Sequence, residues 1–516
     1  MLKNQNIGHA VPEPLLAQFS EFLAARIGLH FPKERWDDLE RGMNAAAREF
    51  RFGDTESCIR RLMSSTLTRP QIEILASQLT VGETYFFRER KTFDALEQNI
   101  LPELIRSRRG NERRLRIWSA GCCTGEEPYS IAILLARTIP DWRDWNISIL
   151  ATDINPHFLR NASIGVYSAW SFRDTPTGIK AGFFRQTTEG RFAIHPAIKM
   201  LVTFAYLNLA EDGYPSVENG SNAMDIIFCR NVVMYFEPER GRKVIQNLGL
   251  SLMDGGWLFV SPVEIPQVVS PQLRIVNFPG AIVYGKSTRW ATAESDLVTV
   301  LPRAPVAPDV SAVPANLDID EEPVAAVLPG SRRLTGRLGR PDRHQREIDT
   351  PVQTPYQQAT ALYGHGRYSE AAEKTLEILS REPNDAKAIA LLARIYANQG
   401  RIADALEWCN KAVAADKLNP GWCYLLATIL QEQGRPGEAV AALKRALYLD
   451  QNHALAHFAL GNLTRRRGKF KESGRHFRNA LSILSGYRQE HVLPDSEGVT
   501  AGRLAEIIQS TLSSEA

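Results

Sequence analysis

The stretch from Leu115 to Ser130 constrains the fold of this chain more than any other segment. Residues such as Ile117 and Trp118 suit a buried β-strand, and the apolar run ends in the glycine-bounded turn Gly121–Gly125. A helix is expected next, because Pro128 is tolerated in a first helical turn and strong helix formers follow it. Strand, glycine turn and helix form the first unit of an open parallel α/β sheet, which binds ligands beyond the carboxyl ends of its strands.

The composition of the turn argues against a phosphate ligand. A phosphate-binding loop carries a lysine or reads G-x-G-x-x-G, and this turn does neither. Glu126 and Glu127 follow it. Two carboxylates at a helix start interact favourably with the helix dipole, so one interpretation is that they only stabilise the amino terminus of the helix. The alternative is a cationic ligand that donates hydrogen bonds, such as S-adenosylmethionine with its sulfonium, ammonium and ribose.

A second apolar segment, residues 145–152, predicts a strand that ends at Asp153. A carboxylate at this point can accept both hydroxyls of a ribose. Asn155 and Pro156 then start a helix, so Asp153 is also a reasonable capping group. We favour the cofactor role.

Length and charge narrow the class of protein. A chain of 516 residues is expected to hold two to four domains. A net charge of +3 predicts no bulk attraction to nucleic acid or to membranes. The six cysteines lack C-x-x-C spacing, so we expect reduced thiols and no metal site. No signal pattern or membrane span is evident, which predicts a cytoplasmic protein without direct membrane insertion.

Residues 1–78 are predicted to form a small helical domain, because apolar residues recur at helical spacing from Glu13 to Leu29. Basic residues follow from Lys33 onward. They form either a solvated face or a docking face for an acidic helical partner: Arg35, Arg41, Arg48, Arg51, Arg60 and Arg61.

An aromatic segment, Tyr85-Phe86-Phe87, lies between Thr84 and Arg88. Alone, such aromatics are more often core than cofactor contacts. Together with four later segments they resemble the CheR family, the chemotaxis receptor glutamate O-methyltransferases that use S-adenosylmethionine. The resemblance runs from about Leu15 to Ser287, and the later motifs that carry it are Trp118-Ser-Ala…Thr-Gly-Glu-Glu-Pro-Tyr-Ser, Ala151-Thr-Asp-Ile-Asn, Asn208-Leu and Asp225-Ile-Ile-Phe-Cys-Arg-Asn-Val-Val-Met-Tyr-Phe.

The resemblance implies which residues hold the methionine and ribose parts of the cofactor. Thr84 and Arg88 match family positions at the methionine end, and Arg88 also lies by the reacting centre. Glu127 matches the acid that meets the ammonium group, and Asp153 matches the acid on the ribose. Gly82 departs from the pattern, since some members carry an asparagine there that touches the cofactor.

The remaining roles implied by the resemblance concern the adenine and the catalytic centre. Asn208 and Leu209 match positions that flank the adenine. Arg230 and Asn231 follow the fourth strand and are expected to bind cofactor, while Tyr235 matches an active-site tyrosine. A glutamate with a pKa of about 4.3 is ionised at neutral pH, so no strong base is required. The catalytic residues are therefore predicted to be orienting donors, Arg88 and Tyr235.

The implied fold is an α/β methyltransferase domain over residues 79–287, with a doubly wound sheet and a small antiparallel β-subdomain at about 162–207. Phe183 to Ile194 suits a hairpin that turns near Glu189-Gly190. Some members use this subdomain to hold a receptor pentapeptide. The turn here is shorter and poorer in glycine, so we expect that this chain needs no such tether.

The last third of the chain predicts an all-α solenoid. Residues 288–351 are rich in Pro, Ala, Val and Arg and predict a disordered linker. Glycines then recur at the period of tetratricopeptide (TPR) repeats, about 34 residues, which predicts four repeats over 352–486 and a tail over 487–516 with a capping helix. Such an array binds a protein partner or docks on the catalytic domain. The recurring glycines are Gly366, Gly400, Gly434 and Gly468.

Three functions are consistent with these features. The first is S-adenosylmethionine-dependent methylation of glutamates on a methyl-accepting chemoreceptor-like protein, with the repeats recruiting an unknown protein partner or exerting control. The second is an inactive methyltransferase-fold scaffold that acts through its repeats, which the intact set of predicted site residues disfavours. The third is a nicotinamide oxidoreductase, which the turn disfavours; a cofactor-binding titration separates it from the others.

Overall fold

The computed structural model describes residues 11–108, 113–210, 213–217, 219–268, 270, 272–287, 354–364, 366–496 and 499–513. The predicted linker, residues 288–351, therefore lies outside the described residues, as do the first ten residues and the last three. No helix among these ranges is long and apolar enough to cross a membrane.

The amino-terminal region is a bundle of four helices that share one apolar core. Local signals set their ends: Gly28 closes α1 in the left-handed conformation, Asp54 caps α3 by accepting the Ser57 N–H, and Thr68 forms a capping box with Gln71 at the start of α4. The helices are α1 (Glu13–Ile27), α2 (Trp36–Glu49), α3 (Thr55–Met63) and α4 (Arg69–Leu79), with a short 3-10 turn at Lys33–Arg35.

A second group of helices precedes and flanks the central sheet. The chain passes from α5 (Arg90–Ala95) through a π turn (Leu96–Ile100) into α6 (Leu101–Arg108). The later helices of this region are α7 (Glu126–Thr138), α8 (Pro156–Ile164), α9 (Ile179–Phe183), α10 (Pro196–Lys199) and α11 (Pro238–Ser251).

The central sheet has seven strands in the order β6-β2-β1-β7-β8-β10-β9. The first five in this order are parallel, and β10 is antiparallel to both of its neighbours. All seven residues of β1 are buried, and these include Arg114 and Arg116 as well as the apolar residues Leu115, Ile117 and Trp118. The strands are β1 (Arg114–Ala120), β2 (Asn146–Asp153), β6 (Val202–Tyr206), β7 (Met224–Phe228), β8 (Leu252–Phe259), β9 (Leu273–Phe278) and β10 (Ala281–Lys286).

A separate three-stranded antiparallel sheet lies between β2 and β6 along the chain. It has the order β3-β5-β4, with β3 at Val166–Tyr167, β4 at Phe184–Gln186 and β5 at Phe192–Ile194. The hairpin between β4 and β5 turns at Gly190, whose φ is +75°. The small antiparallel sheet expected from the sequence is confirmed, and its lack of need for a peptide tether stays a prediction.

Eight helices form four antiparallel pairs after the linker. Each of the four recurring glycines ends the first helix of its pair with φ between +70° and +75°, a conformation that costs glycine little. The pairs are α12 (Pro355–Gly364) with α13 (Tyr368–Arg381), α14 (Ala386–Asn398) with α15 (Ile402–Ala415), α16 (Pro420–Glu432) with α17 (Pro436–Leu449), and α18 (Ala454–Arg466) with α19 (Phe470–Leu484). Helix α20 (Ala501–Ser513) packs beside α19.

The repeat array contacts the α/β domain at the amino ends of the strands of its central sheet. The buried guanidinium of Arg116 on β1 is paired with the buried carboxylate of Glu432 at the end of α16. The Asn222 amide donates to the carbonyl of Ala397 over 3.3 Å. Val217 belongs to the same apolar cluster as the second repeat. The intramolecular docking that the sequence left open is therefore present, on the edge of the sheet opposite the carboxyl ends.

Candidate functional site

One cleft, with about 1110 Å³ of empty space including its open mouth, lies at the carboxyl ends of β1, β2, β6 and β7. Parallel strands bring their carboxyl ends to one edge, so residues from four distant segments meet there. The amino-terminal bundle and the segment before α5 close its other side. All nine residues predicted for the site line this cleft: Thr84, Arg88, Glu127, Asp153, Asn208, Leu209, Arg230, Asn231 and Tyr235.

The turn after β1 forms one wall of the cleft. Gly121 has a φ of +82°, and a Cβ there would lie 2.3 Å from Val232 on the next wall. Both Gly121 and Cys122 donate their N–H groups to the carbonyl of Thr152, which joins the turn to the end of β2. Glycine is thus required at position 121 for both backbone conformation and space.

The two glutamates after this turn have different surroundings. Glu126 points away from the cleft and accepts hydrogen bonds from Thr124 at 2.6 Å and Ser171 at 3.1 Å. Glu127 lines the cleft and accepts from the Ser119 hydroxyl at 2.8 Å. Glu126 is therefore the helix-start acid of the plainer interpretation, and Glu127 is the one available to a ligand.

Arg230 organises the charge around Glu127. One of its nitrogens lies 3.2 Å from the Glu127 carboxylate, and another lies 2.9 Å from Glu89 and donates to the Arg88 carbonyl at 2.7 Å. The guanidinium is 2 % exposed, so this arginine positions acids and backbone. Burial raises the pKa of Glu127, and the Arg230 charge opposes that rise. A second cation beside Glu127 would favour its ionised form further.

Asp153 lies at the end of β2 with both carboxylate oxygens already in use. One oxygen accepts the Cys123 N–H and the other accepts the Asn155 N–H, each at 2.8 Å. A carboxylate has about four acceptor positions, so both oxygens retain capacity for the hydroxyls of a ligand. Burial raises the pKa of Asp153 to about 6. The capping of α8 is done instead by Asn155, which accepts the N–H groups of His157 and Phe158.

The residues after β6, Leu207 to Leu209, form another wall of the cleft. Asn208 is buried, and its side-chain oxygen accepts the Ala210 N–H at 3.0 Å. The buried side chain of Leu209 belongs to the apolar cluster beneath the sheet. The surface they offer suits a planar heterocycle, the part of a ligand for which they are predicted.

The aromatic segment before α5 serves both the core and the cleft. Phe86 is fully buried among Tyr167, Phe172 and Phe184, with ring centroids 4.8–4.9 Å away. Tyr85 instead lines the cleft. The core interpretation therefore holds for Phe86 and not for Tyr85.

Arg88 and Tyr235 line the cleft from two different segments, the one before α5 and the one after β7. The Arg88 guanidinium donates to the Glu83 carbonyl at 2.5 Å, which orients it. Arg35 from the amino-terminal bundle lies over the Tyr235 ring, 5.3 Å from its centroid. Burial raises the pKa of Tyr235, and the Arg35 and Arg88 charges oppose that rise. The phenol is thus a hydrogen-bond donor at neutral pH.

Two contributors to the site were missed by the sequence analysis. Arg35 was counted among the basic helix residues, yet it lies in the turn before α2 and lines the cleft. Glu264 is fully buried and accepts the backbone N–H groups of Asn231, Val232 and Val233 at 2.6–2.9 Å. A capping-box pattern, Ser261 followed by Glu264, marks this acid in the sequence but does not reveal its second set of partners.

Two of the other basic residues of the bundle, Arg41 and Arg60, are paired with neighbouring acids. Arg41 lies 2.7 Å from Asp38 and Arg60 lies 2.7 Å from Glu56, and all four side chains are exposed. Such pairs leave a mixed surface, so the solvated-face interpretation is favoured for them.

The cysteine pair in the turn is unsuited to thiolate chemistry. Both Cys122 and Cys123 are free thiols. Burial raises the pKa of each, and the Asp153 carboxylate raises it further. All six cysteines are free, and no cluster of His, Cys, Asp or Glu among the described residues could hold a metal ion.

The cleft as a whole can hold a ligand with a cationic group, hydroxyls and a planar ring. Glu127 offers charge to an ammonium, Asp153 offers acceptors to hydroxyls, and the wall after β6 offers an apolar face. The arginine and tyrosine donors that line the same cleft, Arg35, Arg88 and Tyr235, suit a second, anionic reactant. These features fit S-adenosylmethionine in charge and in hydrogen bonding.

Comparison with known proteins gives two family matches. Residues 82–270 match the model described as CheR methyltransferase, SAM binding domain, where SAM is S-adenosylmethionine. Residues 356–420 and 424–487 match the tetratricopeptide repeat. The first match covers most of the residues that build the cleft.

Relatives in curated collections are named as chemotaxis methyltransferases. Chemotaxis protein methyltransferase 2 of Vibrio cholerae is 32% identical over 224 residues, which are 43% of this chain and 76% of the relative. A probable chemotaxis protein methyltransferase of Rhizobium etli is 37% identical over 194 residues, 37% of this chain and 70% of the relative. The chemotaxis protein methyltransferase of Borreliella burgdorferi is 29% identical over 261 residues, which are 50% of this chain and 90% of the relative. Among solved structures, MamA of Desulfovibrio magneticus aligns with 26% of this chain and 75% of its own, at 23% identity and a TM-score of 0.24.

Proposed function

The chain belongs to the CheR methyltransferase family, and from this we propose that it methylates glutamate side chains of a methyl-accepting, chemoreceptor-like protein, with S-adenosylmethionine as the methyl donor. The observation that carries the proposal is the pairing of opposite charges in one cleft: carboxylates at Glu127 and Asp153, and donors at Arg88, Arg35 and Tyr235. A cationic donor and an anionic acceptor each meet complementary groups.

In this proposal the carboxylates bind the cofactor. Glu127 receives the ammonium group, held in place by Ser119 and Arg230. Asp153 accepts the ribose hydroxyls, and Asn208 and Leu209 flank the adenine. Thr84 and Asn231 complete the pocket from either side. When bound, the cofactor supplies an electrophilic methyl group on a positively charged sulfur.

The substrate carboxylate is proposed to be oriented by Arg88 and Tyr235. A glutamate with a pKa of about 4.3 arrives ionised, so the site has no need of a strong base. Burial keeps the Tyr235 phenol protonated, which makes it a donor. Alignment of the reactants and exclusion of water then supply most of the rate enhancement. An arginine that neutralised the nucleophile would slow the reaction, and Arg88 shares its donors with the Glu83 carbonyl.

The amino-terminal bundle and the repeat array are proposed to recognise other proteins. The amino-terminal bundle borders the cleft and contributes Arg35, so it would meet the protein substrate first. The repeats would recruit a further protein or regulate the enzyme, as solenoid arrays present extended binding surfaces. The proposed boundaries remain 1–78, 79–287, 288–351, 352–486 and 487–516.

The test is methyl transfer from labelled S-adenosylmethionine to the chemoreceptor-like proteins of the same cell. We expect label on the receptor that mild alkali releases as methanol, since methyl esters hydrolyse and N-methyl groups do not. Alkali-stable label would contradict glutamate methylation. Titration with S-adenosylhomocysteine distinguishes the alternatives: binding without transfer to any receptor would support the scaffold, and failure to bind would overturn the proposed methyl transfer.

A further inference from the structure

The repeat array holds a segment of its own chain. The segment that connects α19 of the last repeat to α20 follows Leu484 and ends before Ala501, yet Asp495 in this connection reaches back to the second repeat. Its carboxylate lies 3.7 Å from Arg394 on α14 and 3.9 Å from His453, the N-cap residue of α18. The first helices of the second, third and fourth repeats, α14, α16 and α18, border the same small site. We call this site the seat, and it is formed by Arg394, Gly421 and His453.

Gly421 on α16 leaves room for this carboxylate. A Cβ at that position would lie 2.4 Å from one Asp495 oxygen and 2.7 Å from the other. Gly421 is the second residue of α16, where alanine would suit the helix better. Glycine at this position therefore makes room for the Asp495 carboxylate, although it does not stabilise the helix.

The charge of the seat comes from the arginine. Burial lowers the pKa of His453, so its ring is neutral at pH 7. The Nδ1 atom accepts the Ala456 N–H at 3.2 Å, which leaves the ring proton on Nε2, the atom that faces Asp495. Arg394 therefore supplies the positive charge, and His453 supplies a neutral donor.

An apolar anchor accompanies the acid. Leu493 is 5 % exposed and belongs to the same cluster as Tyr424 and Leu455 of the third and fourth repeats. The Ser496 hydroxyl donates to the Leu493 carbonyl at 2.6 Å, which shapes the segment between anchor and acid. The segment thus presents an apolar residue two positions before a carboxylate.

We propose that this seat, formed by Arg394, Gly421 and His453, is a binding site for an acidic segment of a partner protein, and that residues 491–496 are its internal occupant. The partner segment presents an apolar side chain followed two residues later by aspartate or glutamate. Both ion-pair distances exceed those of direct charge-assisted hydrogen bonds, so the Asp495 carboxylate is held loosely and the carboxylate of a partner can replace it. The proposal is independent of the methylation proposed above.

The test uses the full chain and a fluorescent peptide that copies residues 488–496. In the Asp495→Ala chain the internal acid is gone, and we expect the peptide to bind about tenfold more tightly than to the unmodified chain, because self-occupancy lowers apparent affinity. Asp495→Asn serves as a second, nearly isosteric variant. A peptide with asparagine in place of its aspartate is expected to bind at least about tenfold more weakly.

A test variant and its matched control use two glycines that each follow a proline at the start of a helix, Gly421 and Gly437. In the Asp495→Ala background, Gly421→Ala fills the seat and is expected to abolish peptide binding, as is Arg394→Gln. Gly437→Ala, at the equivalent position of α17 with no atom within 4 Å, is expected to change nothing. Circular dichroism of each variant verifies the helical content. Equal affinity of the peptide for the unmodified and Asp495→Ala chains, or binding that survives Gly421→Ala, would overturn the proposal.

Discussion

The Glu264 carboxylate accepts the backbone N–H of Asn231 at 2.9 Å, between two segments that are far apart in the sequence. Asn231 has a φ of +58°, a conformation that few residues with side chains adopt. The same carboxylate accepts the N–H groups of Val232 and Val233. Glu264 therefore holds the turn that links Arg230 to Tyr235, and with it one wall of the cleft.

Replacement of Glu264 by glutamine tests this positioning role. Glutamine has one acceptor oxygen, so backbone N–H groups on one side of the turn lose their partner, at about 1–3 kcal/mol for each unsatisfied group. We expect a lower thermal midpoint and a kcat reduced about tenfold, with a smaller change in affinity for S-adenosylhomocysteine. Glu239→Gln, at a highly exposed position on α11, is the control and should behave as the unmodified chain. Unchanged stability in Glu264→Gln would refute the role.

Arg88→Ala is expected to lose most turnover. An orienting donor to the reacting carboxylate contributes to the transition state, and loss of such a donor costs about 100-fold in kcat. Affinity for S-adenosylhomocysteine should fall less than kcat, because Glu127 and Asp153 remain. The measurement is initial rates of labelled methyl transfer, with the exposed neighbour Arg90→Ala as control. Normal transfer by Arg88→Ala would show that its proposed role is wrong.

Asp153 predicts a pH-dependent affinity for the cofactor. Its pKa of about 6 means that the acceptor carboxylate is ionised above pH 6 and is progressively protonated below it. The affinity for S-adenosylhomocysteine should therefore be constant from pH 7 to 8 and fall by up to about tenfold per unit below pH 6. Asp153→Asn should bind at least about tenfold more weakly at pH 8, with a flatter profile. Calorimetric titration at each pH measures both, and an unmodified chain with no loss of affinity at pH 5 would contradict this.

The burial of Asp153 also makes the free energy of unfolding depend on pH. Because the folded-state pKa is raised from 3.8 to about 6, the folded chain binds a proton more tightly than the unfolded chain does. The contribution of this group to the free energy of unfolding therefore decreases as pH rises from 4 to 6, by about 3 kcal/mol in total. Denaturant unfolding of the unmodified chain, compared with Asp153→Asn across this range, should show the difference.

Glu432→Gln is expected to loosen the repeat array from the catalytic domain. The change leaves the Arg116 guanidinium buried without its acid, which costs about 3–5 kcal/mol. Faster hydrogen exchange is expected at residues 219–222 and 397–400, which form the contact. Glu438→Gln, which removes an exposed pair on the next helix, is the control. Exchange rates equal to those of the unmodified chain would mean that the pair does not hold the interface.

Local patterns accounted for much of the fold. The strand, turn and helix around Gly121–Gly125 were predictable because each depends on neighbouring residues: an apolar run, glycines with positive φ and a proline in the first turn. The repeats were predictable for the same reason, since their glycine period follows from the end of each first helix. The convergence of Glu127, Asp153, Asn208 and Arg230 on one cleft follows from parallel strands sharing an edge, whereas Thr84 and Arg88 reach it from the segment before α5.

Other features depend on contacts between distant segments and left no distinctive pattern. Arg35 and Glu264 look like an ordinary surface arginine and an ordinary capping acid, and only packing brings them to Tyr235 and Asn231. Similarly, Glu126 and Glu127 are adjacent and chemically alike, and the direction of each side chain on α7 decides which one faces a ligand.

The sequence alone therefore determined the order of domains, the parallel sheet with its cationic-ligand chemistry and the repeat array. Only the tertiary structure decided that the array covers the amino ends of the strands, and that Asp495 lies against Arg394 within it. The physical reason is the sequence distance over which the interactions act. Helix ends, turns and strands are set by interactions between residues that are only a few positions apart. Docking surfaces and shared carboxylates are set by which faces become buried together, and those partners can be hundreds of residues apart.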